Sequence, residues 1–400
     1  MYDRAFVFSS TPMTLFSAEE SFLGHIRDNP DDDNTTRLVY ADWLEEHGQQ
    51  DHATLIRLQC NQETTYPINA YEMVRDITTR ERDRLRSLFP YTSFRFERGF
   101  AVEAKNYDHH TFIQKGDELF AQLPLLTHFN FGSVSNATLC AIAQCPWLSR
   151  LRGITFTTQY GRYDRLGWEC SEGLQALLSS PHLRKLEFLR IDCAHLTPQN
   201  ATVIATAPAL ETLSILELPN NSLLGDRGLE VILEAPFRLK KFDFSFNRCT
   251  SQGLANIATA KSLSKLTHLT LNCYHEDHDG RSIRKYPNSL PDVEPLTTII
   301  EGKYLPELTH LDFFSNGMGT AHTQAMAEQE GLRRFQYMDL SGNDLKLKDA
   351  QLLDRSPYLS PDCEILVGSY WMHNKEIRKL SSRFRQQDYK TPQILENIQV

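Results

Sequence analysis

Apolar residues recur at positions 1, 4 and 6 of a short unit that returns along the chain: LTHFNFGSV from Leu126, LRGITFTTQ from Leu151, LEFLRIDCA from Leu186 and LSILELPNN from Leu213. LKKFDFSFN from Leu239, LTHLTLNCY from Leu266, LTHLDFFSN from Leu308 and FQYMDLSGN from Phe335 follow. Alternation at positions 4 and 6 predicts a short strand with one buried face. Position 9 is asparagine at Asn221, Asn247, Asn316 and Asn343, where its side chain can satisfy backbone groups as the chain leaves the strand. Stretches such as Gly228-Leu229 with Ile232-Leu233, and Gly253-Leu254 with Ile257-Ala258, space apolar residues by i, i+3 and i+4 and predict a helix after each strand.

This pattern resembles the leucine-rich repeat, and most starts lie 25 to 27 residues apart, which is similar to the ribonuclease-inhibitor type. The expected fold class is α/β: a right-handed solenoid or horseshoe of about eight repeats over residues 126–360, with parallel strands inside and helices outside. Two intervals are longer, 35 residues after Leu151 and 42 after Leu266. Both excesses follow position 9, so insertions near 159–170 and 274–292 are expected on one rim.

Upstream, the texture is helical. Ser17 and Glu20 form a potential capping box opening EESFLGHIR. Leu38, Val39, Trp43 and Leu44 suit one helix face, Gly48 suits its end, and Ile56 and Leu58 begin another stripe. The runs Arg37-Leu38-Val39-Tyr40-Ala41-Asp42-Trp43-Leu44-Glu45-Glu46 and Ile56-Arg57-Leu58-Gln59 resemble the bacterial repeat-companion domain that precedes leucine-rich repeats. Phe96-Glu97-Arg98-Gly99-Phe100-Ala101-Val102-Glu103 is similar to the Arg-Gly-Phe entry strand that follows it. The resemblance covers roughly residues 17–62 plus that strand, and implies architecture and an interaction role, with no established catalytic activity. The expected order is a weakly ordered 1–16, a small all-α module over 17–90, a solenoid cap over 91–125, the repeats, and a carboxyl-terminal cap and basic tail over 361–400.

Charge narrows the partner. A net charge of −9 over 400 residues argues against general nucleic-acid binding, which needs surplus Lys and Arg on one face. No run of about 18 apolar residues predicts a membrane span, and the amino terminus has no secretory pattern. The eight scattered cysteines form no C-x-x-C pair, so a reduced, cytoplasmic chain is expected. Lys375, Arg378, Lys379, Arg383 and Arg385, against one acid at Glu376, suit either a polar cover for the last coil or a free basic tail.

Candidate chemistry sorts by repeat position. Position 5 reads Asn130, Thr155, Arg190, Glu217, Asp243, Thr270, Asp312 and Asp339, an acidic row on the expected concave face that could steer a basic protein or peptide or merely solvate the strands. Position 3 holds His128, His268 and His310; the last two belong to consecutive repeats and are expected about 5 Å apart, as metal ligands, a pH sensor or simply stacked imidazoles. The first insertion crowds Tyr160, Arg162, Tyr163, Arg165 and Trp168, residue types that dominate interface hot spots but that also close loops. The second carries HEDHDG, with His275, His278 and Asp279. Its histidines are three apart, whereas the zinc helix motif needs four, and the calcium-loop pattern is missing. No phosphate loop, nucleophile elbow or dinucleotide turn occurs.

The expectation is therefore a non-catalytic scaffold or adaptor without cofactor, binding a protein or peptide, basic in character, through Arg190, Glu217, Asp243, Asp312, Asp339 and the Tyr/Arg/Trp insertion. The alternatives are a metal-dependent hydrolase or modifying enzyme using His275, His278 and Asp279 on the rim, and a regulatory subunit that inhibits or activates an enzyme.

Overall fold

A computed structural model describes residues 13–30, 34–60, 68–106, 109–157, 171–192, 195–272, 292–368, 377 and 380–386. The chain forms two compact units, Met1–Gly132 with Cys145–Leu151, and Ser133–Gln144 with Arg152–Val400.

The first unit contains α1 (Met13–Asp28), α2 (Thr35–Glu46), α3 (Gln50–Cys60) and α4 (Ile68–Leu88), then β1 (Thr92–Glu97), β2 (Phe100–Asn106), α5 (His110–Gln114), α6 (Gly116–Gln122) and β3 (His128–Asn130). Helix α1 spans Met13–Asp28, so Ser17 lies within the helix rather than ahead of it. The α2 face also differs from expectation. Arg37, Tyr40, Ala41 and Leu44, spaced i, i+3, i+4 and i+7, are buried, while Leu38 and Val39 are exposed. The apolar residues chosen from the sequence straddled two faces, and an arginine completes the inner one by donating from Nη2 to the Pro30 carbonyl at 3.1 Å.

Residues carrying the repeat-companion resemblance converge on one core. Tyr40, Ala41, Leu44, Ala53, Ile56 and Phe100 share a buried cluster, with Trp43 packed against it. The Tyr40 ring stacks on Phe100 at 6.0 Å and on Trp43 at 5.8 Å. Strands β1 and β2 pair antiparallel, with Glu97 opposite Phe100. The two residues between them, Arg98 (φ 47°) and Gly99 (φ 90°), both take left-handed angles, as a tight hairpin turn of the primed type requires. Gly99 passes so close to Ile56 that a Cβ there would strike its backbone. Its N–H donates to Gln59 Oε1 at 2.7 Å, and Arg98 donates to Asn34 Oδ1 and the Pro30 carbonyl. The Arg-Gly-Phe motif is thus a clasp between hairpin and helices, and its role is structural.

The second unit alternates helix and strand: α7 (Asn136–Ala143), β4 (Gly153–Thr157), α8 (Ser171–Leu178), β5 (Phe188–Asp192), α9 (Pro198–Ala205), β6 (Ile215–Glu217), α10 (Gly225–Leu233), β7 (Lys241–Asp243) and α11 (Ser251–Ala258). It continues with β8 (His268–Thr270), α12 (Val293–Glu301), β9 (His310–Asp312), α13 (Thr320–Ala327), β10 (Tyr337–Asp339), α14 (Leu347–Asp354), β11 (Glu364–Val367) and β12 (Phe384–Gln386). Each strand from β4 to β12 pairs in parallel with the next. This mixed α/β succession fits a repeat solenoid.

The repeat positions explain the packing. Position-1 residues Leu186, Leu213, Leu239, Leu266, Leu308 and Phe335 are buried, as are position-4 and position-6 partners such as Phe242 with Phe244 and Leu269 with Leu271. Each such side chain contributes about 1.5–3 kcal/mol relative to exposure. The position-9 asparagines form a ladder under the strands. Asn221 Nδ2 donates to the carbonyls of Ile191, Leu218 and Pro219, while Asn247 Oδ1 accepts from Asn221 N at 2.6 Å. Asn343 Oδ1 accepts from Asn316 N at 2.8 Å in the same way. At the carboxyl end of α12, Arg334 donates to the carbonyls of Ile299 and Ile300, taking the place of the missing next turn.

The repeat extends past the eight starts seen in the sequence. Strands β11 and β12 continue the parallel order, with Ile365 opposite Phe384. Arg383 and Arg385 therefore lie at the last strand, where Arg383 Nε sits 3.5 Å from Asp354 and Arg385 Nη1 3.1 Å from Glu364. Lys375, Glu376, Arg378 and Lys379 fall outside the described residues. No helix among the described residues is long and apolar enough to cross a membrane.

Candidate functional site

In the second unit, positions 3, 5 and 7 of each strand point away from the apolar core, because successive side chains alternate faces. From β5 to β11 this outward face carries two basic residues, Arg190 and Lys241, against six acidic ones, Asp192, Glu217, Asp243, Asp312, Asp339 and Glu364. The acidic row is far less exposed than a solvated strand face would be: Glu217, Asp312 and Asp339 are 6%, 7% and 1% exposed. Lateral neighbours only one strand away crowd it.

At β5 and β6 the charges cancel locally. Arg190 donates from Nη1 to Glu217 and from Nη2 to Asp192, each at 2.7 Å. Burial disfavours its charge, yet the Glu217 and Asp192 carboxylates outweigh that and hold the guanidinium protonated. Burial raises the Glu217 carboxyl, with Arg190 opposing.

From β7 to β10 the carboxyls are held by their own strand ends, and Asp312 also by the Asn272 side chain. Asp243 Oδ1 accepts from Ser245 N at 2.9 Å and from the Ser245 hydroxyl. Asp312 Oδ1 accepts from Phe314 N at 3.0 Å, and Asp339 Oδ1 from Ser341 N at 2.8 Å and from the Ser341 hydroxyl. In the first unit Asn130 Oδ1 accepts from Gly132 N at 3.0 Å by the same geometry; the structural role needs an oxygen but no charge. Asp312 and Asp339 are register partners on adjacent strands. Burial, and then the Asp339 carboxylate, push Asp312 well above the usual carboxyl range; burial raises Asp339 too. Neither forms a salt bridge among the described residues.

Position 3 forms an aromatic ladder. His268 stacks on His310 with centroids 4.0 Å apart and planes 16° apart, and His310 on Tyr337 at 6.1 Å and 19°. The expected lateral pairing of the two histidines is present. Each LTH threonine fixes its histidine: Thr267 Oγ1 lies 2.8 Å from His268 Nδ1, and Thr309 Oγ1 2.9 Å from His310 Nδ1. Each hydroxyl also lies near a backbone carbonyl, Thr267 Oγ1 2.9 Å from that of Lys240 and Thr309 Oγ1 3.4 Å from that of Thr267. Burial, then His310 and Lys241, lower His268 to about 3, and burial and Lys241 lower His310, so both rings are neutral near pH 7.

The ladder geometry disfavours a shared metal. Two near-parallel imidazoles 4.0 Å apart direct their in-plane lone pairs side by side and cannot converge on one ion. Among the described residues no group of three or more His, Cys, Asp or Glu side chains is arranged to hold a metal. His275, His278 and Asp279, and likewise Tyr160, Arg162, Tyr163, Arg165 and Trp168, lie outside the described residues. Their flanks are described: each stretch leaves the carboxyl end of a strand, β4 or β8, and precedes α8 or α12.

Of the residues singled out from the sequence, the structure brings Arg190, Glu217, Asp243, Asp312 and Asp339 onto one face. Asp192, Lys241 and Tyr337 on that face escaped notice. Reading whole rows would have found them, since Lys241 and Tyr337 hold position 3 in the repeats flanking the histidines, and Asp192 holds position 7.

No protein-family model and no curated protein matches the chain. Among solved structures it is similar to a chain in the Rad7 and Elc1 complex of yeast, at 14% identity, covering 95% of this chain and 92% of that one with a TM-score of 0.48. It is also similar to a protein from Bacteroides fragilis, at 14% identity, covering 79% of this chain and 82% of that one with a TM-score of 0.40.

Proposed function

We propose that this chain is a non-catalytic interaction protein of the bacterial cytoplasm: leucine-rich repeats of the ribonuclease-inhibitor type behind a helical repeat-companion module. In this reading it binds a basic segment of a partner protein on the outward face of β7–β10. The observation that carries the proposal is the Asp312–Asp339 pair, two adjacent carboxyls held by backbone donors with no cation of the described chain beside them. Such a pair is costly alone and is relieved by a cation brought from outside, which also gives the encounter electrostatic direction. The 25 to 27 residue spacing and the motif residues gathered around Tyr40 support the repeat type and the module.

The test uses charge without shape. Asp243→Asn, Asp312→Asn and Asp339→Asn together keep an acceptor oxygen for each strand end, as Asn130 does. Fluorescence anisotropy with a short lysine- and arginine-rich peptide is expected to show binding by the parent chain that weakens with salt, and at least tenfold weaker binding by the triple variant, about 1.4 kcal/mol. Equal binding by both, with equal thermal stability, refutes the proposal.

A further inference from the structure

We propose that the first unit holds a ligand site of its own, a cleft that takes a short peptide with free ends, a di- or tripeptide, by its opposite terminal charges. The cleft involves no residue of the acidic face and stands independently of that reading. Its volume is about 870 Å³, a size usual for small-ligand sites. Its walls come from α1 to α4, the β1–β2 hairpin and α6, together with Arg150, all within the first unit.

Most ionic side chains of the cleft are matched within the chain. Arg80 Nη2 lies 2.6 Å from Asp51, Arg84 donates to both Glu81 oxygens at 2.6 and 2.9 Å, and Arg27 lies 3.6 Å from Glu20. Two are left over, and they have opposite signs. Arg150 is half-buried; it donates from Nη2 to the Pro124 carbonyl at 2.8 Å and lies 5.3 Å from the Phe120 ring centre, without a carboxylate in ion-pair range among the described residues. Burial, and then Arg27, lower it, with Glu20 opposing. Glu19 is also half-buried; it accepts from the Tyr40 hydroxyl at 2.9 Å, and no cation of the described residues pairs with it. His52, within electrostatic reach, supplies none. A carbonyl oxygen only accepts, so its Nε2 carries the hydrogen shared with Gly99 O at 3.1 Å, and burial lowers the ring, which is neutral near pH 7.

An uncompensated charge drawn away from bulk water is costly, and a ligand of one sign would relieve only one of these two. A zwitterion relieves both. Its ammonium meets Glu19 beside the Tyr40 hydroxyl, and its carboxylate meets Arg150, whose planar fork of donors suits that group. Glu19 and Arg150 form no ion pair with each other, and Glu20 is the carboxylate that acts on Arg150. The ligand therefore carries its charges at the two ends of a short chain. The termini of a di- or tripeptide fit this, whereas a free amino acid holds both charges on one carbon.

Isothermal titration calorimetry of the full chain compares trialanine with its N-acetylated form, its carboxyl-terminal amide and free alanine. Trialanine is expected to bind with a Kd of about 1 mM or below, and the two blocked forms and alanine about tenfold or more weakly. In Glu19→Gln, which keeps an acceptor for Tyr40, the penalty for acetylation is expected to vanish while the penalty for amidation remains. Arg150→Met is expected to do the reverse, and Arg150→Lys to keep both penalties. The blocked peptides probe the two charges on the parent chain, so that comparison stands even where a variant fails to fold. Absence of trialanine binding, or equal binding by the blocked forms, overturns the proposal. Equal binding by alanine overturns the assignment to a peptide, and penalties that persist in the folded Glu19→Gln and Arg150→Met variants overturn the assignment to these two residues. Each of these results leaves the acidic-face reading standing.

Discussion

Arg190 and Asp312 occupy the same position of their repeats, yet the two ends of the outward face treat charge in opposite ways. At β5–β6 an arginine sits between two carboxylates at 2.7 Å on each side, so burial is compensated inside the chain. At β9–β10 two carboxyls face each other across the register with only amide and hydroxyl donors to hold them. The first arrangement is complete as folded. The second lacks a positive charge, and either a proton or a partner must supply it. One repeat position can thus carry a charge balanced within the chain or one left unbalanced, depending on what the neighbouring coil places beside it.

The sharpest way to break this contrast is Arg190→Met, which leaves Asp192 and Glu217 buried without a counterion. It is expected to lower the unfolding free energy by about 3–5 kcal/mol, measured by urea denaturation at neutral pH. A loss within 0.5 kcal/mol, about that of an ordinary surface change, would mean that the triad is screened by solvent and that the two ends do not differ.

Asp312→Asn probes the other end and should act with the opposite sign. A carboxyl whose native pKa is raised keeps its proton where the unfolded chain has lost it, so stability falls as pH rises from the ordinary carboxyl range toward the native value. Removing that titration is expected to stabilise the protein by about 1 kcal/mol or more near pH 8, with little effect near pH 4. Unfolding curves at the two pH values check it; a uniform destabilisation at both would show the carboxylate to be structurally required.

His268 contributes on the acid side. Its native pKa is lowered to about 3, so the unfolded chain takes up a proton that the native ring refuses, and stability is lost as pH falls through the ordinary histidine range toward that value. His268→Phe is expected to flatten this acid limb and leave the limb governed by Asp312 in place. An acid limb unchanged in the variant would assign the loss to other groups.

The smallest effect is expected from Lys241→Met. Stability should change by about 0.5 kcal/mol or less, while the His268 and His310 titrations, both depressed in part by Lys241, move up. Imidazole NMR titration reads this shift, and its absence would separate Lys241 from the ladder.

Much of this architecture was legible because its causes are local. The apolar 1, 4, 6 pattern placed strands β3 to β10 and put Leu266 and Phe242 in the core, and the position-9 asparagines were rightly assigned to backbone satisfaction at Asn221 and Asn343. Strands β11 and β12 went unseen because Asp362 replaces the position-1 leucine ahead of β11. The inner face of α2 was misassigned because Arg37 lies on it, held by the Pro30 carbonyl, and a hydropathy pattern cannot anticipate a buried arginine whose acceptor comes from the preceding loop. For the candidate site, the rows were legible but their electrostatics were not.

The frame follows from local pattern: which residues recur, which alternate to one face, and therefore that His268, His310, Asp312 and Asp339 share a surface. That follows from a side-chain period of two and a repeat period of about one coil, both properties of the chain's own geometry. Which of those groups are neutralised and which are buried depends on neighbours in space. The groups that settle this, Glu217 beside Arg190 and Asp339 beside Asp312, lie 27 residues away along the chain and one strand away in space, and burial and Coulomb interaction depend on the second distance.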